Sequence, residues 1–194
     1  MASEISLNIL GCDGAGKKTL VGSLIYKCGL GLLRLKELER ESIRQFEQIV
    51  PFYEKKGYAQ TFYAPPGLVT VQKSQTPDYV IWVVDGPDLS TWNSSAEKLR
   101  SLLLNGDIQP RKKVIIAVNK MDFIGWSEQT FKDIVHVFRA ARLHNRTFIL
   151  PISGLKADNL LPDTKKPSWA ENISSERYRG LTQVSDKCLT LLLG

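Results

Sequence analysis

The apolar run Ile5-Ser6-Leu7-Asn8-Ile9-Leu10 passes without a linker into the tight turn Gly11-Cys12-Asp13-Gly14-Ala15-Gly16. Lys17–Cys28 then continues as a helical segment stopped by Gly29 and Gly31. A strand, a glycine turn and a helix in immediate succession allow few folds, because the helix must carry the chain back over the sheet before the next strand enters. The rest of the chain keeps this alternation. Leu33–Ile49 has helical periodicity and many charges, with Pro51 just beyond it, and Tyr58–Tyr63 reads as a strand. Tyr79–Val84 is a buried strand ended by Asp85-Gly86-Pro87, followed by helix Ser95–Leu104 and strand Lys113–Val118. Glu128–Leu143 is an amphipathic helix, Thr147–Leu150 a strand and Tyr178–Leu193 a closing helix. The expected architecture is α/β, a mostly parallel sheet of five to six strands with helices on both faces. It forms a single domain over 1–194. Ligands in such a sheet bind at the carboxyl ends of the strands.

The 43% hydrophobic and 24% charged composition is that of a globular chain with a sizeable core. Cys12, Cys28 and Cys188 have neither paired nor metal-ligand spacing, which suits thiols in a reducing cytoplasm. No signal-peptide layout opens the chain, and no apolar run approaches the ~20 residues of a membrane span. The Asn-x-Ser/Thr triplets at Asn93, Asn145 and Asn172 therefore carry little meaning. A net charge of +6 suits contact with RNA or a ribosome, and equally a solvated basic surface. No membrane or DNA partner is expected. Trp82, Trp92, Trp126 and Trp169 are scattered and read as packing residues, and His136 and His144 lack metal spacing.

Gly11 to Lys18 fits every position of the phosphate-loop pattern G-x-x-x-x-G-K-[ST] but the last. Glycines let the backbone curl so that N–H groups point at phosphate oxygens, and the following helix start adds partial positive charge. Lys17 would bridge the β- and γ-phosphates. The residues of this loop, Gly11, Cys12, Asp13, Gly14, Ala15, Gly16, Lys17, Lys18 and Thr19, are the expected phosphate site of a P-loop NTPase. The last position calls for a hydroxyl that ligates Mg²⁺. Lys18 stands there, an ammonium that repels a cation, and Thr19 lies ~100° further round the helix. Either Lys18 supplies charge near the β-phosphate and makes Mg²⁺ dispensable, or it turns into solvent and affinity falls.

Asn119-Lys120-Met121-Asp122 follows the buried run Val114–Val118. Asp122 can accept from the N1–H and exocyclic amine of guanine, two donors that adenine does not present. Lys120 would lay its stem along the base or ribose, and Asn119 would tie this loop to the phosphate loop. The bland alternative is a helix start with Asp122 as its cap.

Three segments together carry a family resemblance. They are Ile25-Tyr26-Lys27-Cys28-Gly29, Val118–Asp122, and Pro151-Ile152-Ser153-Gly154-Leu155 with Asp158-Asn159-Leu160-Leu161. The chain resembles the G domain of elongation factor 1-alpha and its relatives, the release factor three and ribosome-rescue GTPases, from about Ser6 to its last helix. The resemblance implies GTP or GDP as ligand. It also implies backbone N–H groups of Ser153, Gly154 and Leu155 at the guanine O6, and a ribosome or a translation or RNA-decay protein as partner. It further places degenerate switch regions at about 33–68. The family's first switch carries a Mg²⁺-binding Thr, but this chain has no Thr between Thr19 and Thr61. Its second switch, Asp-Ala-Pro-Gly-His, is matched to Ala64-Pro65-Pro66-Gly67-Leu68, which keeps Gly67 for the γ-phosphate and loses the Asp and the His. Phe52-Tyr53 and Phe62-Tyr63 read as core or edge contacts, with cover of the nucleotide as the alternative for Tyr53.

Hydrolysis of GTP needs neutralised charge, a positioned water and in-line geometry. The losses fall in separate segments and all concern metal or water, whereas the base-reading residues are present. The sequence therefore points to a guanine-nucleotide binder with weak or no hydrolysis, a pseudo-GTPase. It names no catalytic or metal-ligating residue and leaves Mg²⁺ in doubt. An active translational GTPase and a nucleotide-free scaffold are the alternatives.

Overall fold

The computed structural model describes residues 4–143, 146–171 and 182–194. Seven strands form one sheet in the order β2-β3-β1-β4-β5-β6-β7. These are β1 (Ile5–Gly11), β2 (Thr61–Ala64), β3 (Gly67–Val71), β4 (Tyr79–Asp85), β5 (Lys113–Asn119), β6 (Thr147–Pro151) and β7 (Thr182–Val184). The β2–β3 pair is antiparallel and every other pair is parallel. The helices are α1 (Lys17–Cys28), α2 (Leu32–Arg40), α3 (Phe46–Lys56), α4 (Trp92–Leu104), α5 (Glu128–Ala140), α6 (Ser168–Glu171) and α7 (Leu189–Leu192). No helix among the described residues is long and apolar enough to cross a membrane.

The central strands alternate faces with period two. Ile81, Val83, Ile115 and Ala117 face α1 and α7, where Leu20, Leu24, Leu189 and Leu192 complete one core. Trp82, Val84, Val114, Ile116 and Val118 face α4 and α5, against Leu99, Phe131, Ile134 and Phe138. Both faces are covered, which is why these strands read as unbroken apolar runs. The four tryptophans pack against the second core, and three have satisfied N–H groups. Trp82 Nε1 donates to Ser95 Oγ at 2.8 Å, Trp92 Nε1 to the Asp85 carbonyl at 3.0 Å, and Trp169 Nε1 to the Trp126 carbonyl at 2.9 Å.

Three features differ from the sequence expectation. The strand count is seven instead of five to six, because Gly67–Val71 and Thr182–Val184 are strands. The closing helix shrinks to Leu189–Leu192, and its expected first turn falls within 172–181, outside the described residues, as does His144. The single helix expected over Leu33–Ile49 is two helices with a break at Glu41–Gln45, where Ser42 takes φ 55°.

Pro51, expected to end the helix, sits inside α3. It forfeits the one bond to the Glu47 carbonyl. The helix survives because Ile49, Val50, Phe52 and Tyr53 pack against Val21 and Ile25 of α1. Gly22 permits this docking: a Cβ built there would lie 1.9 Å from the Phe46 carbonyl oxygen.

Candidate nucleotide-binding cleft

The loops at the carboxyl ends of β1, β4, β5 and β6 gather at one edge of the sheet. Beside them a cleft of about 890 Å³ opens between the phosphate loop with the start of α1 and the wall of α3, and Lys120 is its lining residue from the β5 loop. Gly11–Gly16 leaves β1 and Gly16 starts α1 at φ +91°, a left-handed conformation that only glycine adopts freely. A Cβ on Gly16 would also stand 2.5 Å from Asn119 Nδ2. The first turn of α1 holds no acidic residue and its N-cap makes no side-chain bond, so the helix start keeps its N–H groups and partial charge for an anion. Ala15 is buried within the loop, while Asp13, Gly14 and Lys18 are exposed. Lys17 Nζ lies over the loop, donating to the Gly11 and Cys12 carbonyls at 2.9 and 2.7 Å, with Asp13 at 3.7 Å. Lys17, Lys18 and Thr19 all line the cleft.

Asn119 is the joint of the site. It is buried at the end of β5; its Nδ2 donates to the Ala15 carbonyl at 2.8 Å and its Oδ1 accepts from the Gly154 N–H at 2.8 Å. One side chain thus binds the phosphate loop, the Asn119–Asp122 loop and the Ser153–Leu155 loop together. Lys120 takes φ 61°, passes its stem near Gly16 and ends on Asp85 Oδ2 at 2.5 Å. Asp122 Oδ1 is buried with no hydrogen-bond partner among the described residues.

The Ser153 loop is narrower in function than the sequence suggested. The Ser153 N–H is taken by the Asp158 carbonyl at 3.1 Å, and the Gly154 N–H by Asn119. The Leu155 N–H has no partner among the described residues, and Leu155 is exposed. Burial pushes the Asp158 carboxyl above the usual range; Lys165 opposes the shift and the neighbouring Asp122 charge adds to it.

Gly67 does not belong to the site. It closes the β2–β3 hairpin opposite Ala64, and β3 runs parallel to β1 with Val69 level with Ile5. At ~3.3 Å per residue this sets Gly67 at the far end of the sheet from the phosphate loop, ~25 Å away along the strand. Pro66 accordingly lies near Gly194. The dipeptide Pro65-Pro66 before a Gly marks a hairpin turn here, not a switch. Tyr53 is likewise no cover: it is buried between α1 and α3.

The chain passes from β3 to β4 by residues 72–78 alone. These are pinned to β1: Asn8 Nδ2 donates to the Ser74 carbonyl at 2.7 Å, the Ser74 N–H to Asn8 Oδ1 at 3.0 Å, and the Ser6 N–H to Asp78 Oδ2 at 2.9 Å.

Sequence reasoning missed two parts of the site. One is Asp85, which reaches Lys120 because β4 and β5 align Asp85 with Asn119. The other is the α3 wall, where Glu47, Gln48, Pro51, Phe52 and Lys55 line the cleft. Their spacing is one helical stripe, and treating Pro51 as a stop concealed it.

No family model matches the chain. Elongation factor 1-alpha of Coccidioides immitis is 26% identical over 227 aligned positions, covering 93% of this chain and 48% of that protein. The same factor of Saccharomyces cerevisiae is 25% identical over 224 positions, covering 93% and 47%. The chain thus spans about half the length of the curated relatives it matches. Among solved structures, the S. cerevisiae Ski7 GTPase-like domain bound to GDP and inorganic phosphate superposes with a TM-score of 0.65 at 20% identity, covering 86% of this chain and 46% of that one. Sup35 complexed with GMPPNP gives 0.55 at 17% identity, covering 87% and 44%. By sequence the chain resembles the G-domain half of elongation factor 1-alpha, and its fold is that of the GTPase domains of known structure.

Proposed function

We propose that the chain binds GTP or GDP in this cleft, hydrolyses it weakly or not at all, and acts as an interaction module in translation or RNA surveillance in the cytoplasm. The observation that carries the ligand is Asp122: a buried carboxylate oxygen without a partner, on a loop fixed by Asn119. A buried unpaired acceptor is costly, and guanine offers the two adjacent donors that relieve it. Leu155 N–H suits the O6 of the same base. The phosphate loop and the first turn of α1 present N–H groups to the phosphates, and Lys17 exchanges its loop carbonyls for phosphate oxygens.

Weak hydrolysis is supported by the chemistry of the donor set. The residues do not fit Mg²⁺. Lys18 stands where a hydroxyl would ligate it, Asp13 is paired with Lys17, and Glu41 with Lys56 at 3.1 Å. Segment 32–56 is a packed pair of helices, 61–71 is a hairpin, and 72–78 is pinned to β1. Among the described residues these segments bring no imidazole to the cleft, and their one carboxylate there without an ion pair is Glu47, in the first turn of α3. The relationship to elongation factor 1-alpha supports the translational role.

Thermal unfolding with GTP, GDP and ATP, beside phosphate release, tests this reading. Guanine nucleotides are expected to raise Tm and ATP to leave it unchanged, with no release above a Lys17→Ala control. Multiple turnover would make the chain a working GTPase, and no shift with any nucleotide would make it a scaffold. Co-sedimentation with ribosomes tests the role.

A further inference from the structure

We infer that α3 supplies a phosphate ligand of its own: Lys55, with Lys18 across the cleft, takes the terminal phosphate of a guanosine triphosphate in place of a divalent cation. This rests on the nucleotide reading above and extends it to the choice between GTP and GDP.

The charges lining the cleft leave these two ammonium groups over. Lys17 is engaged by Gly11, Cys12 and Asp13, and Lys120 by Asp85. Lys18 and Lys55 have no ion pair among the described residues, and both line the cleft. Of the acids in the same wall, Asp13 and Glu41 are paired. Glu47 is unpaired, but it stands at the other end of the stripe, ~12 Å of helix from Lys55 at 1.5 Å per residue. The positive end of the wall is therefore the one beside Pro51, Phe52 and Lys55.

The wall is also fixed. Gly22 lets the Phe46 backbone sit against α1, Gln48 Oε1 accepts from the Arg44 and Gln45 N–H groups at 3.0 Å, and Ile49, Val50, Phe52 and Tyr53 are buried. Such a wall fixes the backbone of Lys55 beside the cleft, and an ammonium on its flexible stem serves a phosphate as a compact point charge. GDP ends one phosphate short, so Lys55 reports on the third.

Calorimetric titration of GTP and GDP in EDTA and in Mg²⁺ tests this, with Lys55→Ala, Lys18→Ala, Lys55→Arg and, as a control for lost charge, Lys36→Ala. Lys55→Ala and Lys18→Ala are each expected to weaken GTP about tenfold, the size of one charge-assisted hydrogen bond, and GDP less than twofold. Lys55→Arg should recover part of the GTP affinity that Lys55→Ala loses, Lys36→Ala should bind as wild type, and Mg²⁺ should not tighten GTP. Far-UV dichroism verifies folding, since Lys55 is exposed. Equal losses for GTP and GDP in Lys55→Ala, or Mg²⁺ tightening that Glu47→Gln removes, would overturn the role of Lys55 and leave guanine binding standing. No guanine nucleotide bound by the wild type would overturn both.

Discussion

Asp122 holds a carboxylate oxygen in a buried position with nothing to bond. The free protein carries that cost and the ligand relieves it. Asp122→Asn is therefore expected to leave the ligand-free Tm unchanged or raise it, while weakening GTP and GDP tenfold or more, because an amide hydrogen then meets a guanine donor. Thermal scans with and without nucleotide measure both effects. Asn119→Ala should act oppositely. It strands the Ala15 carbonyl and the Gly154 N–H, and the ligand-free protein should lose about 2–4 kcal/mol in urea unfolding. The Asn119 tie was legible in the sequence, since a short amide after a buried strand reaches only neighbouring loops. The Lys120–Asp85 pair was not, because it depends on β4 and β5 being adjacent in register.

At the scale of elements, α3 replaces what the sequence suggested was a switch. Its docking depends on backbone approach at Gly22, and Gly22→Val should cost roughly 1–3 kcal/mol, or detach α3. Detachment would appear as selective loss of amide protection over 46–56. The crossing from β3 to β4 is held by Asp78. Burial opposes its ionisation, yet the Ser6 N–H and hydroxyl, with Arg111 and Lys112, hold its carboxyl below the usual range. A carboxyl with a lowered folded pKa binds its proton more weakly than the unfolded chain does. It contributes stability that is present above the unfolded value near 3.8 and is lost as pH falls below it. Acid unfolding followed by fluorescence should show Asp78→Asn less stable at neutral pH and less sensitive to pH below ~4. The helical stripe of α3 was present in the sequence, but a proline at its centre signals a stop. Only packing against α1 shows that one lost hydrogen bond is tolerated.

The whole molecule is a sheet clad on both faces, with the phosphate-loop, Asn119 and Ser153 loops at one edge and residues 32–56 as a helical wall. Between the phosphate loop and β4, the described residues are held in packed helices, a hairpin and a crossing pinned to β1. Hydrogen exchange over 32–78 should therefore be the same with GTP as with GDP, and a loop protected by one nucleotide alone would refute this. The sequence by itself determined the parallel α/β frame, the strand–turn–helix at Gly11–Gly16 and the tie of Asn119 to that turn. Those rest on local physics: buried runs with period-two faces, glycine at a left-handed helix start, and donors and acceptors on adjacent positions. Tertiary structure alone decided where Gly67 lies, which N–H of the Ser153 loop is free, and that residues 32–56 form a wall carrying Lys55. Each of these depends on strand order, register or helix docking. They are set by contacts between residues far apart in the chain, which local pattern does not encode.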